Sequence, residues 1–239
     1  MLKQTLMEIK KGQVGTGLLL ENDGYVSLSL EQNKQLRESI RIDEETGTRM
    51  IPEPFIVSAV FQKFGLENAN GRIYPEHILK REVEKYQQAI KERRAYGELN
   101  HPETSVIDGT RICMNIVELH WEGHTLVGKM EIPISDGFRR FGFISSLADM
   151  VAQWLISGLR IGVSSRGLGS VTKQYGKLIV GEDYEIVCWD VVTQPSTNSA
   201  WIEMEEDNLR PYVESEDKSD KPVVSEGKFD KFKEWLEKK

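Results

Sequence analysis

No apolar run in the 239 residues approaches the ~20 that a membrane-spanning helix needs, and Met1-Leu-Lys-Gln4 lacks the apolar core of a secretion signal. Cysteine is nearly absent. Cys113 and Cys188, the two that exist, lie inside strand-like apolar runs. They are too few for a cysteine-rich zinc site and read as buried thiols of a reducing compartment rather than a disulfide. Positive charge is short as well, with 31 Lys and Arg against 38 Asp and Glu and a formal net charge of −7. That balance argues against a nucleic-acid surface as the main role. Gly167-Leu-Gly169 has neither the lysine nor the length of a phosphate loop, and no internal repeat is present. The expectation is a soluble, intracellular protein that needs no membrane, nucleic acid or nucleotide. What the chain does have is 39% hydrophobic residues, enough for one sizeable core with tails.

Taken in order, residues 1–50 read as a loosely attached leader. Gly15–Leu20 and Tyr25–Leu30 could be short strands around an Glu21-Asn-Asp-Gly24 turn, and Glu31–Gly47 is mostly polar. A domain proper spans residues 51–204. Phe55–Phe61 is a buried-strand candidate, Asn68-Ala-Asn-Gly71 a turn, and Pro75 opens a helix. Ile78, Leu79, Val83, Tyr86 and Ile90 recur on one face of that helix, and Gly97 is expected to cap it. Residues 112–121 and 125–132 form two strands, 143–157 a helix stopped by Gly158, and 177–180 and 184–192 further strands. Several antiparallel strands with two longer helices make an α+β domain. Residues 205–226, rich in acidic and polar side chains, read as a flexible linker. Phe229, Phe232, Trp235 and Leu236 put an apolar stripe on a C-terminal amphipathic helix over 227–239, suited to docking.

The stretch Gly158–Ser170 carries the first chemical signal. It reads as strand, tight glycine turn, strand, with Ser164 and Ser165 at the end of the Leu159-Ile161-Val163 alternation. A hydroxyl at a strand end beside unpaired amides is one way to build a nucleophile and an oxyanion site together. The backbone N–H groups of Arg166 and Gly167 are the expected oxyanion donors. Alternation puts the two serines on opposite faces and does not say which face is catalytic. A second signal is His101, in a loop that follows the Pro75-initiated helix; a free imidazole titrates near ~6.5 and can take a serine proton at neutral pH. Asp190 stands between Trp189 and Val191 in an apolar run, where a carboxylate needs a partner. Asp108, just before Gly109, is the rival carboxylate, although Asp-Gly is chiefly a turn former. His120 and His124 are four residues apart, as in a helical zinc site, but Gly123 and the flanking strand patterns make that segment a hairpin.

Four blocks, Asn70-Gly-Arg-Ile-Tyr-Pro75, Gly97-Glu-Leu-Asn-His-Pro102, Val163-Ser-Ser-Arg-Gly167 and Asp190-Val-Val-Thr-Gln-Pro-Ser196, resemble the prohead core proteases of T-even-type tailed phages. Their order and spacing are also similar to those of the wider group that includes the herpesvirus assemblins. The resemblance runs from Pro54 to Trp201. It implies an assemblin-like, partly open antiparallel β-barrel flanked by helices. It also implies a serine endopeptidase with Ser164 as nucleophile (Ser165 the alternative), His101 as general base and Asp190 as third member (Asp108 the alternative). No metal or cofactor is implied. The substrates would be phage scaffold and major capsid proteins, cut inside the immature prohead in the host cytoplasm, with a homo-oligomer left open. Such proteases prefer to cut after glutamate with an aliphatic residue two positions earlier, which marks Glu38, Glu44 and Glu226, in polar segments outside the expected domain, as candidate self-cleavage sites. The competing reading is a non-enzymatic internal scaffold or core protein that keeps a protease-like fold.

Overall fold

Residues 7–25, 40–43, 48–159 and 161–193 are described by the computed structural model, and one curled sheet organises them. Its strands are β1 (Gly15–Tyr25), β4 (Ile56–Lys63), β5 (Arg72–Ile73), β6 (Tyr96–Glu98), β7 (Ile112–Glu122), β8 (Thr125–Glu131), β9 (Gly162–Gln174), β10 (Lys177–Val180) and β11 (Glu185–Val192). A separate two-stranded ribbon pairs β2 (Arg41–Asp43) with β3 (Thr48–Met50). Three helices complete these residues: α1 (Glu76–Lys91), α2 (Asp136–Phe141) and α3 (Leu147–Ile156). The order across the large sheet is β5-β10-β9-β1-β4-β8-β7-β6, with β11 added beside β9. The far edge comes round to meet β11. Leu99, just past β6, bridges Val191, and the Asn100 amide donates to the Val191 carbonyl at 2.7 Å. The fold is therefore mixed α and β, mostly strand, with the sheet curled into a half-barrel whose seam lies between β6 and β11.

The core follows from period-2 alternation. Val57, Ala59 and Phe61 of β4 point inward, as do Val163, Trp189 and Val191 from β9 and β11. The Trp189 indole sits edge-on to Phe61 at 5.7 Å and to Tyr86 of α1 at 5.0 Å, so α1 is anchored on the strand that carries Asp190. Aromatic pairs of this kind add about 0.5–1.5 kcal/mol beyond the area they bury. The expected apolar face of α1 is the one that is buried, through Ile78, Leu79, Val83 and Tyr86.

Several expectations are corrected. Residues 15–25 are not part of a loose leader. They make one continuous strand, β1, paired along β9 from Gly15–Val171 to Tyr25–Gly162, and Leu18, Leu19 and Glu21 are buried. The Glu21–Gly24 segment is a bulge within that strand rather than a turn between two. Leu18 and Leu19 supply apolar surface on both faces, which places the strand inside the sheet. Gly158–Ser170 is not a hairpin either, because Gly162–Gln174 runs unbroken through both glycines. Gly97 does not cap α1, whose C-cap is Glu92, followed by Arg93 in a left-handed conformation (φ 54°). Gly97 serves close approach instead: a Cβ there would stand 2.3 Å from the Trp189 carbonyl oxygen and 2.3 Å from Met114 Cε. The helix expected over 143–157 begins only at Leu147, because Ser146 and Asp149 form a capping box that fixes its first turn. Gly158 (φ 77°) does follow its end. The expected linker and C-terminal helix lie outside the described residues.

Candidate active site

Register between two strands assembles the site. In the antiparallel pair of β9 and β11, Ser164 stands opposite Asp190, so both side chains leave the sheet on one face. The third group arrives from the seam. The Leu99–Val191 bridge brings the chain beside Asp190, Asn100 takes a left-handed conformation (φ 60°) that asparagine tolerates, and His101 follows over the pair. His101 Nδ1 lies 2.7 Å from Asp190 Oδ2, and His101 Nε2 contacts Ser164 Oγ. This network assigns the tautomer: Nδ1–H donates to Asp190, leaving Nε2 to accept from the serine hydroxyl. Ser164 and Asp190 are buried and only 9% of the His101 side chain is exposed, so water screens these interactions little.

The structure thus brings His101, Ser164 and Asp190 together, and it leaves the alternatives elsewhere. Ser165 faces the other side of β9, opposite Glu21, where its hydroxyl is buried. The Tyr184 hydroxyl leans on it without completing a hydrogen bond of full geometry. The Asp108 carboxylate is exposed and turned onto Thr110; the hydroxyl at 2.7 Å, helped by the amide at 2.9 Å, holds it below the usual carboxylate range. That is the turn-former role. Arg166 and Gly167 are not in an open turn but in mid-ladder. Arg166 pairs with Leu20 and Cys188, and Gly167 with Leu19 and Ile186. The premise of free amides at these two positions is therefore corrected. Gly167 has a packing reason of its own, since a Cβ would stand 2.5 Å from the Tyr184 ring. His120 sits between Glu118 and Glu122, while the His124 ring lies against Phe64 at 4.9 Å, so the two imidazoles do not converge. Glu38, Glu44 and Glu226 lie outside the described residues.

Two charged side chains that the sequence reading missed complete the site. The Arg166 guanidinium is fully buried behind Asp190, with Nε 3.0 Å from Asp190 Oδ2 and one terminal nitrogen 3.2 Å from Oδ1. It also reaches the Thr104 carbonyl at 2.7 Å, Cys188 Sγ at 3.1 Å and the buried Glu98 carboxylate. Burial works against the arginine's charge, and the Asp190 carboxylate with the bonds to Cys188 Sγ and Glu98 more than restores it, so its pKa rises. Glu98 also gives its own amide to Asp190 Oδ1 at 2.9 Å. Burial, reinforced by Asp190, pushes the Cys188 thiol well above its ordinary range; it stays a thiol and donates to Asp190 Oδ1 at 3.3 Å. The signal for this layer was present. A glutamate and an arginine each sit within a strand-forming block, where an unpaired charge would be costly. Losing one partner of such a buried pair costs about 3–5 kcal/mol.

Comparison with known proteins agrees with the geometry. The prohead core protein serine protease family matches residues 18–209 of this chain. The prohead core protein protease of Enterobacteria phage T4 is 32% identical over 149 residues, a match spanning 61% of this chain and 66% of that protein's length. The solved structure of the bacteriophage T4 capsid assembly protease is similar in fold, with a TM-score of 0.58 and 26% identity, covering 73% of this chain and 96% of that one. With residues 18–209, four-fifths of its length, matched by one family's pattern, the chain belongs to the prohead core protein serine proteases.

Proposed function

We propose that this protein is a serine endopeptidase that cuts prohead proteins, scaffold and major capsid protein among them, during maturation inside the immature phage head. One observation carries the reading: His101 is held between Asp190 and Ser164 with its proton-accepting nitrogen on the serine. Ser164 Oγ attacks the scissile carbonyl carbon while its proton passes to His101 Nε2. The imidazolium that forms is stabilised by Asp190, which keeps its negative charge throughout. Collapse of the tetrahedral intermediate breaks the C–N bond, and the leaving amine takes the proton from Nε2. Water, activated by the neutral imidazole, then hydrolyses the acyl-serine. Every proton in this cycle moves between groups of this chain, substrate and water.

The half-barrel with its serine on a central strand supports an assemblin-like architecture as the finer description of the fold. The test of function is incubation of the purified protein with the scaffold and capsid proteins of its own phage, followed by sequencing of new termini. New termini with wild type and none with Ser164→Ala support the reading. Identical products from both proteins would refute it.

A further inference from the structure

The layer behind the triad has more negative charge than its own neutrality requires. Asp190, Glu98 and Arg166 are all 0% exposed, and one guanidinium faces two carboxylates. All described partners of the Glu98 carboxyl are donors: Arg166 on Oε2, and the Asp108 amide at 3.1 Å with Arg111 Nε at 3.7 Å on Oε1. Both of its oxygens therefore serve as acceptors. Arg111, whose side chain is 39% exposed, meets the same carboxylate from the outside: its Nε is buried facing Oε1 and a terminal nitrogen donates to the Leu99 carbonyl. Asp190 alone would neutralise Arg166, whereas a glutamine at position 98 would keep an acceptor for only one of the two donors and turn its NH2 toward the other. The second carboxylate thus puts a further fully buried negative charge beside Asp190, and Arg111, the other cation that meets it, is partly exposed. Around the cluster stand Ser164 on β9, the Cys188 thiol on β11, Cys113 on β7 and Tyr86 on α1. Burial pushes Cys113, Cys188 and Tyr86 upward, so they stay neutral. The one group in contact with this cluster that gains positive charge during the proposed reaction is His101.

We propose that Glu98 is a positioning residue whose buried carboxylate, acting through Arg166 and Asp190, favours the state in which His101 holds the proton taken from Ser164. At rest the three fully buried charges sum to one negative, and a proton on His101 brings the sum of the four groups to zero. The layer thereby favours the transition state over the resting enzyme, which is where an electrostatic contribution accelerates a reaction. The Glu98 amide fixes Asp190 Oδ1, so the same residue sets both the geometry and the charge of the group that orients the base. This inference rests on the protease reading given above.

The decisive measurement is the NMR titration of the His101 ring, identified among the four histidines by its loss in His101→Ala. In Glu98→Gln the midpoint falls by about one pH unit, the scale expected for one nearby charge. The acid limb of kcat/KM moves down with it, and kcat drops more than KM changes. Glu98→Asp, which keeps the charge, restores most of both. The same fall separates Arg166→Met from the Arg166→Met/Glu98→Gln double variant, a comparison that stands even where the single glutamine variant does not fold. An unmoved His101 midpoint beside intact Ser164-dependent cleavage overturns the role of Glu98 and leaves the protease reading standing. A shifted midpoint in a protein that cleaves nothing keeps the charge coupling and rejects the protease reading.

Discussion

The main-chain amide of Glu98 donates to Asp190 Oδ1 at 2.9 Å, and this bond ties the last residue of β6 to the residue of β11 that orients His101. The seam of the half-barrel and the site are therefore one feature. Closing the seam carries His101 over Ser164, and opening it would separate base from nucleophile without touching either side chain.

Ser164→Ala should remove activity by roughly 10⁴ to 10⁶-fold, the scale for a nucleophile that works as part of a unit. Ser165→Ala should keep measurable turnover, because the Ser165 hydroxyl lies on the opposite face from His101. Single-turnover cleavage of scaffold protein by both variants checks this. A dead Ser165 variant beside an active Ser164 variant would reverse the assignment.

Asp190→Asn should cost on the order of 10⁴-fold in kcat, since an amide in that place favours the wrong imidazole tautomer. Asp108→Asn should stay close to wild type, its partner being Thr110 in an exposed turn. Circular dichroism shows whether both are folded before rates are compared. Equal losses in the two variants would remove Asp190 from its role.

Gly97→Ala probes the seam. The Trp189 carbonyl that an added Cβ would meet is backbone and cannot swing away, whereas Met114 can in part. Overpacking of this kind costs about 1–3 kcal/mol, and here the strain falls between β6 and β11. Activity should therefore fall further than the Tm shift alone would suggest. A variant with native Tm and native rate would show that the seam yields without consequence.

How far the sequence revealed this arrangement depended on the range of the physics involved. The α1 stripe from Ile78 to Tyr86 and the turn at Gly123 and His124 were legible because helix period and turn chemistry are local. The triad residues were legible through blocks resembling a known family, and their convergence was not, since it depends on the register of β9 against β11. The Glu21-Asn-Asp-Gly24 segment looked like a turn by composition, but pairing with β9 on either side absorbs it as a bulge. Glycines 97 and 167 looked like punctuation and are packing clearances set by Trp189 and Tyr184, distant in sequence. The Asn70–Pro75 block reads locally as a turn and helix start, yet its side chains turn out to be aimed at Glu21. Arg72 and Tyr74 hold one oxygen of that carboxylate, the latter at 2.8 Å, while Asn68 and Asn70 hold the other at 2.6 and 2.7 Å.

Asp149 gives a pH-dependent stability test. Burial pushes its carboxyl up, and bonds from the Ser135 and Ser145 amides and hydroxyls outweigh that, leaving it below the ordinary aspartate range. A lowered folded-state pKa adds stability above the unfolded value of about 3.9, and that stability disappears as pH falls through the folded value. Asp149→Asn turns an amide toward these donors and should cost about 1.5–3 kcal/mol at neutral pH. The gap from wild type should be full above about pH 5 and close progressively below about pH 4. Urea unfolding across that range reads it. A gap independent of pH would show that the carboxylate's charge contributes nothing.

The last expectation concerns self-trimming and what remains afterwards. The active protein is expected to cut itself after Glu38 or Glu44, and after Glu226, positions chosen because such proteases favour glutamate at the cut. A cut on the N-terminal side would separate residues 7–25 from the rest of the chain covalently. It would not release them. β1 lies between β9 and β4 in the sheet, Leu18 and Leu19 are buried, and the Glu21 carboxylate is gripped by four side chains of the 68–74 segment. Breaking a buried ion pair such as Glu21–Arg72 costs about 3–5 kcal/mol, and β1 also faces Ser165, the neighbour of Ser164, across the ladder. The trimmed N-terminal piece should therefore co-elute with the body in gel filtration, appear as a separate mass only after denaturation, and be lost from Glu21→Gln together with activity. The segment beyond Glu226, which follows the acidic stretch whose composition reads as a linker, is expected to separate after its cut. A trimmed enzyme that sheds its N-terminal piece and stays fully active would mean β1 is dispensable. A wild-type chain that stays intact while it cleaves scaffold would mean that it does not trim itself at all.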